Sequence, residues 1–140
     1  MRLADKVAVV TGAGSGFGEG IARRFAAEGA RVVVADIDEA GAERVGQAIT
    51  QSGGAATFVR ADVSRRADVR AMVEAALGRF GRVDILVNNA GYTHRNQPML
   101  NVPEEVYDRV FAVNVKAVYL AALEFVPVFR RQGSGVILNT

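Results

Sequence analysis

Short apolar runs rich in β-branched residues alternate with segments of helical period along the whole chain. This alternation restricts the fold more than any other feature. The runs are "KVAVVT" (6–11), "RVVVAD" (31–36), "ATFVRAD" (56–62), "DILVNNAG" (84–91, a strand and its exit loop) and "GVILN" (135–139). Between them, apolar residues recur at helical spacing. The first set is Ile21, Ala22, Phe25 and Ala26. The second is Ala42, Val45, Ala48 and Ile49. The third is Val69, Met72, Val73, Ala76, Leu77 and Phe80. Gly29 and Gly81 stand where the first and third helices should stop, and Asp38 and Ser64 are expected caps for the second and third. After a polar loop from Tyr92 to Val102, Pro103 opens a further helix. Glu104 and Glu105 suit its positive end, and one long helix is expected to run to about Arg131. A βαβαβαβαβ order predicts an α/β fold with a doubly wound parallel sheet and helices on both faces. The nearly unbroken apolar runs predict strands buried on both sides.

The first junction carries chemistry. "TGAGSGFG" (11–18) leaves a strand and enters a helix. Glycines there allow a tight turn and a close backbone approach, and a helix start offers free N–H groups to a pyrophosphate. A glycine-rich turn without a ligand is the alternative. The strand, helix and second strand fill about thirty residues, as a nucleotide-binding unit requires, and Asp36 closes the second strand. A carboxylate at that place can accept both hydroxyls of an adenosine ribose; otherwise it is a cap or a solvated strand end.

The glycines at 12, 16 and 18 are spaced T-G-x-x-x-G-x-G, with Gly14 and Ser15 inside. With that spacing the chain resembles the short-chain dehydrogenase/reductase family. "ADV" (61–63), "NNAG" (88–91) and "NVK" (114–116) follow in the family's order and at the expected element boundaries. The resemblance implies a Rossmann-like sheet of order 3-2-1-4-5 and an NAD-dependent oxidoreductase acting on a secondary alcohol or ketone. Residues 1–140 are expected to form its NAD-binding Rossmann-type domain, incomplete relative to the family. Gly12, Ser15, Gly16, Phe17 and Gly18 are expected around the pyrophosphate, and Asp36 and Ile37 at the ribose. Asp62 is expected on the adenine amino group with Val63 against the ring, and Asn89, Ala90 and Gly91 beside the nicotinamide ribose. Asn114 is the family's helix asparagine, counted with the catalytic apparatus. NAD is expected over NADP. The Asp36 carboxylate repels a 2′-phosphate, and Ser15 and Ile37 stand where a phosphate-binding cation would.

The family's chemistry also uses a serine after the fifth strand and a Tyr-x-x-x-Lys. Four residues beyond Tyr92, Tyr107 and Tyr119 stand Asn96, Phe111 and Leu123, and no serine follows Ser134. The chain is therefore read as truncated after the fifth strand, and as inactive by itself. A non-catalytic nucleotide-binding or subunit-interaction fragment is the alternative. Another doubly wound protein, such as a methyltransferase, is opposed by "NNAG" and "NVK". His94, the only histidine, is expected to face solvent in its loop.

Composition bounds the rest. The 140 residues are 50% hydrophobic and 23% charged, as in one globular domain. A net charge of +2 with scattered arginines argues against nucleic acid as a partner. With no cysteine there is no disulfide or thiolate metal site, and no metal is expected. The N-terminal apolar run is too short for a signal peptide. The Val106–Phe129 region is interrupted by Asp108, Arg109, Asn114, Lys116, Glu124 and Pro127, which opposes a membrane span. A cytoplasmic protein is expected. The long helix is apolar around much of its circumference, from Val110 to Leu123, and the fifth strand is an apolar edge. Both predict self-association.

Overall fold

The computed structural model describes residues Met1–Thr140. The five apolar runs become β1 (Val7–Thr11), β2 (Arg31–Asp36), β3 (Ala55–Arg60), β4 (Ile85–Asn88) and β5 (Val136–Asn139). They form one parallel sheet in the order β3-β2-β1-β4-β5. The helices are α1 (Gly16–Ala27), α2 (Glu39–Gln51), α3 (Arg66–Phe80), α4 (Glu104–Phe111) and α5 (Ala117–Gln132).

The strand period of two divides the core. Val7 and Val9 of β1 face α3 and α5, with Val33, Leu86, Met72 and Phe125. Ala8 and Val10 face α1 and α2, with Val32, Val34, Ala22 and Val45. Val9 pairs with Val33 on one side and Leu86 on the other. The sheet therefore reverses its direction of growth at β1, between β2 and β4. In an open α/β sheet that switch point leaves a crevice at the carboxyl ends of the strands. Thr11, Asp36 and Asn88 all end their strands there.

Three expectations need correction. Burial on both sides holds for β1, β2 and β4 but not for the outer strands, where Phe58 is 37% exposed and Val136 52%. An edge strand has only one neighbour to cover it. The long helix is not uniform: a π-helical turn, Ala112–Lys116, separates α4 from α5. Ser64 does not cap α3, because Arg65 occupies that position. The Ser64 hydroxyl donates instead to Asp62 Oδ1 (2.6 Å), which also accepts the Ser64 N–H (3.0 Å). The hydroxyl oxygen, which a cap would use as acceptor, accepts instead from Arg109 Nη1 (3.0 Å), while Asp62 holds Ser64 in an Asx turn. Asp38 does stand at the N-cap of α2, but its side chain makes no capping bond.

By length and apolarity alone, the run Glu104–Gln132 could cross a membrane. Here one side of it, including Leu120, Phe125 and Val128, packs in the sheet's core.

Candidate cofactor site

A cleft of about 380 Å³ opens at the switch point. Its floor is the glycine loop. Gly12 has φ +63, and a Cβ there would lie 2.8 Å from Ala90 Cα. Only glycine permits that approach. At Gly18 a Cβ would overlap the Gly12 carbonyl oxygen, so the start of α1 sits directly on the loop. Ser15, at the N-cap of α1, makes no side-chain capping bond, which leaves the first-turn N–H groups available. Phe17 projects from that turn and is 90% exposed.

Thr11 fixes the loop to β4. Its buried hydroxyl donates to Val87 O (3.2 Å) and accepts from the N–H groups of Asn89 and Ala90 (3.0 Å each). Asn89 Nδ2 donates back to Thr11 O (3.0 Å). The two loops that face each other across the switch point thus move as one.

Asp36 stands at one side of the cleft. Its carboxylate accepts from Gly14 N and Asp38 N, at 2.9 Å each. These bonds orient the acid towards the space bordered by Ser15 and Ile37, and neither neighbour is basic. Behind the loop, Arg44 of α2 donates to Gly14 O (2.9 Å) and pairs with Glu19 of α1 (2.7 Å).

The opposite wall is Asp62, Val63, Arg109 and Tyr92. Burial works to raise the Asp62 carboxyl, but the two bonds from Ser64 and the Arg109 charge outweigh it and hold the carboxyl below its ordinary value. Arg109 reaches from α4 to Asp62 Oδ2 (3.2 Å) and Ser64 Oγ (3.0 Å), and its guanidinium lies 5.9 Å from the centre of the Tyr92 ring. Asn114 occupies the π-helical turn. Its Oδ1 accepts from Tyr92 N (2.9 Å) and its Nδ2 donates to Tyr92 O (2.8 Å). It borders a smaller space of about 180 Å³ shared with Gly91, Asn139 and Thr140.

These features suit a dinucleotide: bare backbone at a helix start for phosphates, a fixed carboxylate for ribose hydroxyls, and an apolar wall with a polar edge for a base. The short chain dehydrogenase family model matches residues 6–140. The chain belongs to this family.

Short-chain dehydrogenases similar to it include 4-formylbenzenesulfonate dehydrogenase of Comamonas testosteroni, 49% identical over 99% of this chain and 55% of that protein. Galactitol 2-dehydrogenase of Agrobacterium fabrum is 44% identical over 98% of this chain and 53% of that protein. A crystal structure of 3-ketoacyl-(acyl-carrier-protein) reductase from Brucella melitensis, complexed with NADH, superposes with a TM-score of 0.91. It is 55% identical and covers 98% of this chain and 57% of its own. The chain thus spans about half the length of these short-chain dehydrogenases.

Gly12, Ser15, Phe17, Gly18, Asp36, Ile37, Asp62, Val63, Asn89, Ala90 and Gly91 border the one cleft. Gly16 lies beside it, with φ +57 and open space around its Cα. Asn114 lies in the adjoining space. The sequence reading missed Thr11, Arg44 and Arg109. Thr11 had a signal, since it stands between the strand and the first glycine. The two arginines had none, because their partners are distant in sequence.

Proposed function

We propose that the chain is the cofactor-binding part of an NAD-dependent oxidoreductase, one that transfers hydride between NAD(H) and a secondary alcohol or ketone. The observation that carries the preference is Asp36. Two backbone N–H groups hold its carboxylate at the cleft, between Ser15 and Ile37, where a 2′-phosphate would meet like charge at short range. The nicotinamide, when bound, supplies the hydride chemistry of the family. The chain's own residues bind and orient. The first turn of α1 takes the pyrophosphate, Asp36 the ribose hydroxyls, and Asp62 and Val63 the adenine. Asn89, Ala90 and Gly91 line the path to the nicotinamide end. Asn114 is a positioning residue that fixes the peptide of Tyr92.

No Tyr-x-x-x-Lys occurs among the 140 residues. General acid–base catalysis is worth about 10²–10⁴-fold, and these residues do not supply it in the family's manner. The expected behaviour of this chain is binding without turnover. Titrating NADH and NADPH by their intrinsic fluorescence tests the reading: tighter NADH binding is expected, and equal or tighter NADPH binding overturns it.

A subunit-interaction role has its own observation. Tyr107, Phe111, Val115 and Tyr119 succeed one another at four-residue intervals and are 48–61% exposed. Such a stripe suits contact with another protein surface.

A further inference from the structure

Arg44 and Asp36 are held on the two polar groups of one residue. The Gly14 N–H donates to the Asp36 carboxylate (2.9 Å), and the Gly14 carbonyl accepts from Arg44 Nη2 (2.9 Å). A cation therefore stands behind the glycine loop, one residue from the acid and outside the residues that border the cleft. It is not free. Glu19 grips the same guanidinium with both oxygens, Oε2 to Nη2 at 2.7 Å and Oε1 to Nη1 at 3.2 Å. Arg23 Nε donates to the same Oε1 at 2.9 Å. Bonding from Arg44, above all, holds the Glu19 carboxyl down to about 2, so the pair is ionised at neutral pH. Asp38 adds a further negative charge felt by Arg44.

We propose that Glu19 is a cofactor-specificity residue acting through Arg44: by pairing the guanidinium, it withholds from the ribose end of the cleft a cation placed to receive a 2′-phosphate. The proposal rests on the NAD reading and deepens it. Asp36 repels the phosphate at contact range, while Glu19 removes the attraction that would offset that repulsion. Guanidinium and phosphate form strong bidentate pairs when the guanidinium is unengaged. The Arg44 side chain is 55% exposed, so its head group has room to turn once Glu19 is neutral.

The test uses the 140-residue chain, with NADH and NADPH as probes read by fluorescence titration. Wild type, Glu19→Gln, Arg44→Gln and the double variant are compared, with Glu19→Ala in reserve should Glu19→Gln not fold. Wild type should favour NADH. Glu19→Gln should narrow the NADPH-to-NADH ratio of dissociation constants about tenfold, and added salt should reverse much of that gain. The double variant should return to the wild-type ratio, and Arg44→Gln alone should leave it there. If the pair only braces α1 against α2, both cofactors weaken together and the ratio stays constant, which overturns the proposal while the NAD reading stands. A narrowed ratio that persists in the double variant removes Arg44 from the account and overturns it as well. A wild type that favours NADPH, or binds neither cofactor, overturns the NAD reading and this proposal with it.

Discussion

At the scale of single residues, the cleft depends on groups that tolerate little change. Replacing Gly18 by alanine drives a methyl group into the Gly12 carbonyl. G18A should abolish measurable NADH binding while the far-UV circular dichroism stays near that of wild type. Gly16 has open space but a positive φ. G16A should therefore cost only about 1 kcal/mol in denaturant unfolding. T11V removes the hydroxyl that serves Val87 O, Asn89 N and Ala90 N. Asn89 N and Val87 O keep their bond to each other (3.1 Å), and the Ala90 N–H is left short of a partner. One orphaned N–H costs about 1–3 kcal/mol, and a loss in that range is expected in urea unfolding. The glycines and Asp36 were legible from spacing, because a turn and a phosphate contact impose local demands. Thr11 stood in view beside the first glycine, but the bonds it makes were not legible, since its three partners lie 76 to 79 residues away in the chain.

At the scale of elements, the strands' starts are joined by Asp84. It accepts from Val7 N (2.9 Å) and from Arg82 Nη2 (2.6 Å). Burial works to raise this carboxyl, but Arg82 and the Val7 N–H prevail and leave it below its ordinary value. A lowered native value means that the folded state binds protons less readily than the unfolded chain. The stabilisation is thus complete above the ordinary carboxylate range near pH 4 and is lost as pH falls through the lowered value. D84N should destabilise the protein by about 1–2 kcal/mol at neutral pH and flatten the acid side of a urea-midpoint against pH plot. Asn114 makes a second such link, between the π-helical turn and Tyr92. N114A should speed hydrogen exchange at the Tyr92 amide without altering exchange in β1. The strands were readable as nearly unbroken apolar runs, and α1 to α3 because their apolar residues recur at helical spacing. The π-helical turn was not, because "FAVNVKAV" is too evenly apolar for its pattern to betray an added residue per turn. Ser64 misled for another reason: its hydroxyl oxygen could accept from a helix N–H or from another donor, and Arg109, 45 residues away in the chain, takes it.

At the scale of the whole molecule, alternating elements predict a parallel sheet and the family resemblance supplies its strand order, but neither gives the exposure of particular faces. The stripe of Tyr107, Phe111, Val115 and Tyr119 is visible only once the other side of the helices is seen against the sheet. Sedimentation or light scattering at micromolar concentration should reveal self-association, and Tyr119→Lys should reduce it without changing secondary structure. A wild-type chain that stays monomeric would remove this expectation.

The position of β1 at the centre of the sheet governs how the molecule can come into being. β2 and β3 follow it closely in the chain, but its other neighbour, β4, begins only at Ile85. A ribosome that has released the first sixty residues has delivered β1, β2 and β3 with one flank of β1 still bare, and that flank presents five residues that are all buried in the finished sheet. Contacts across such a sequence gap form late, and an uncovered strand flank is a place where nascent chains stick to one another. The cleft, whose two loops meet through Thr11, Gly12, Asn89 and Ala90, must then appear later in synthesis than the glycine loop itself. A nascent chain stalled before Asn89 would have its glycine loop and its ribose acid but no fixed place for a dinucleotide.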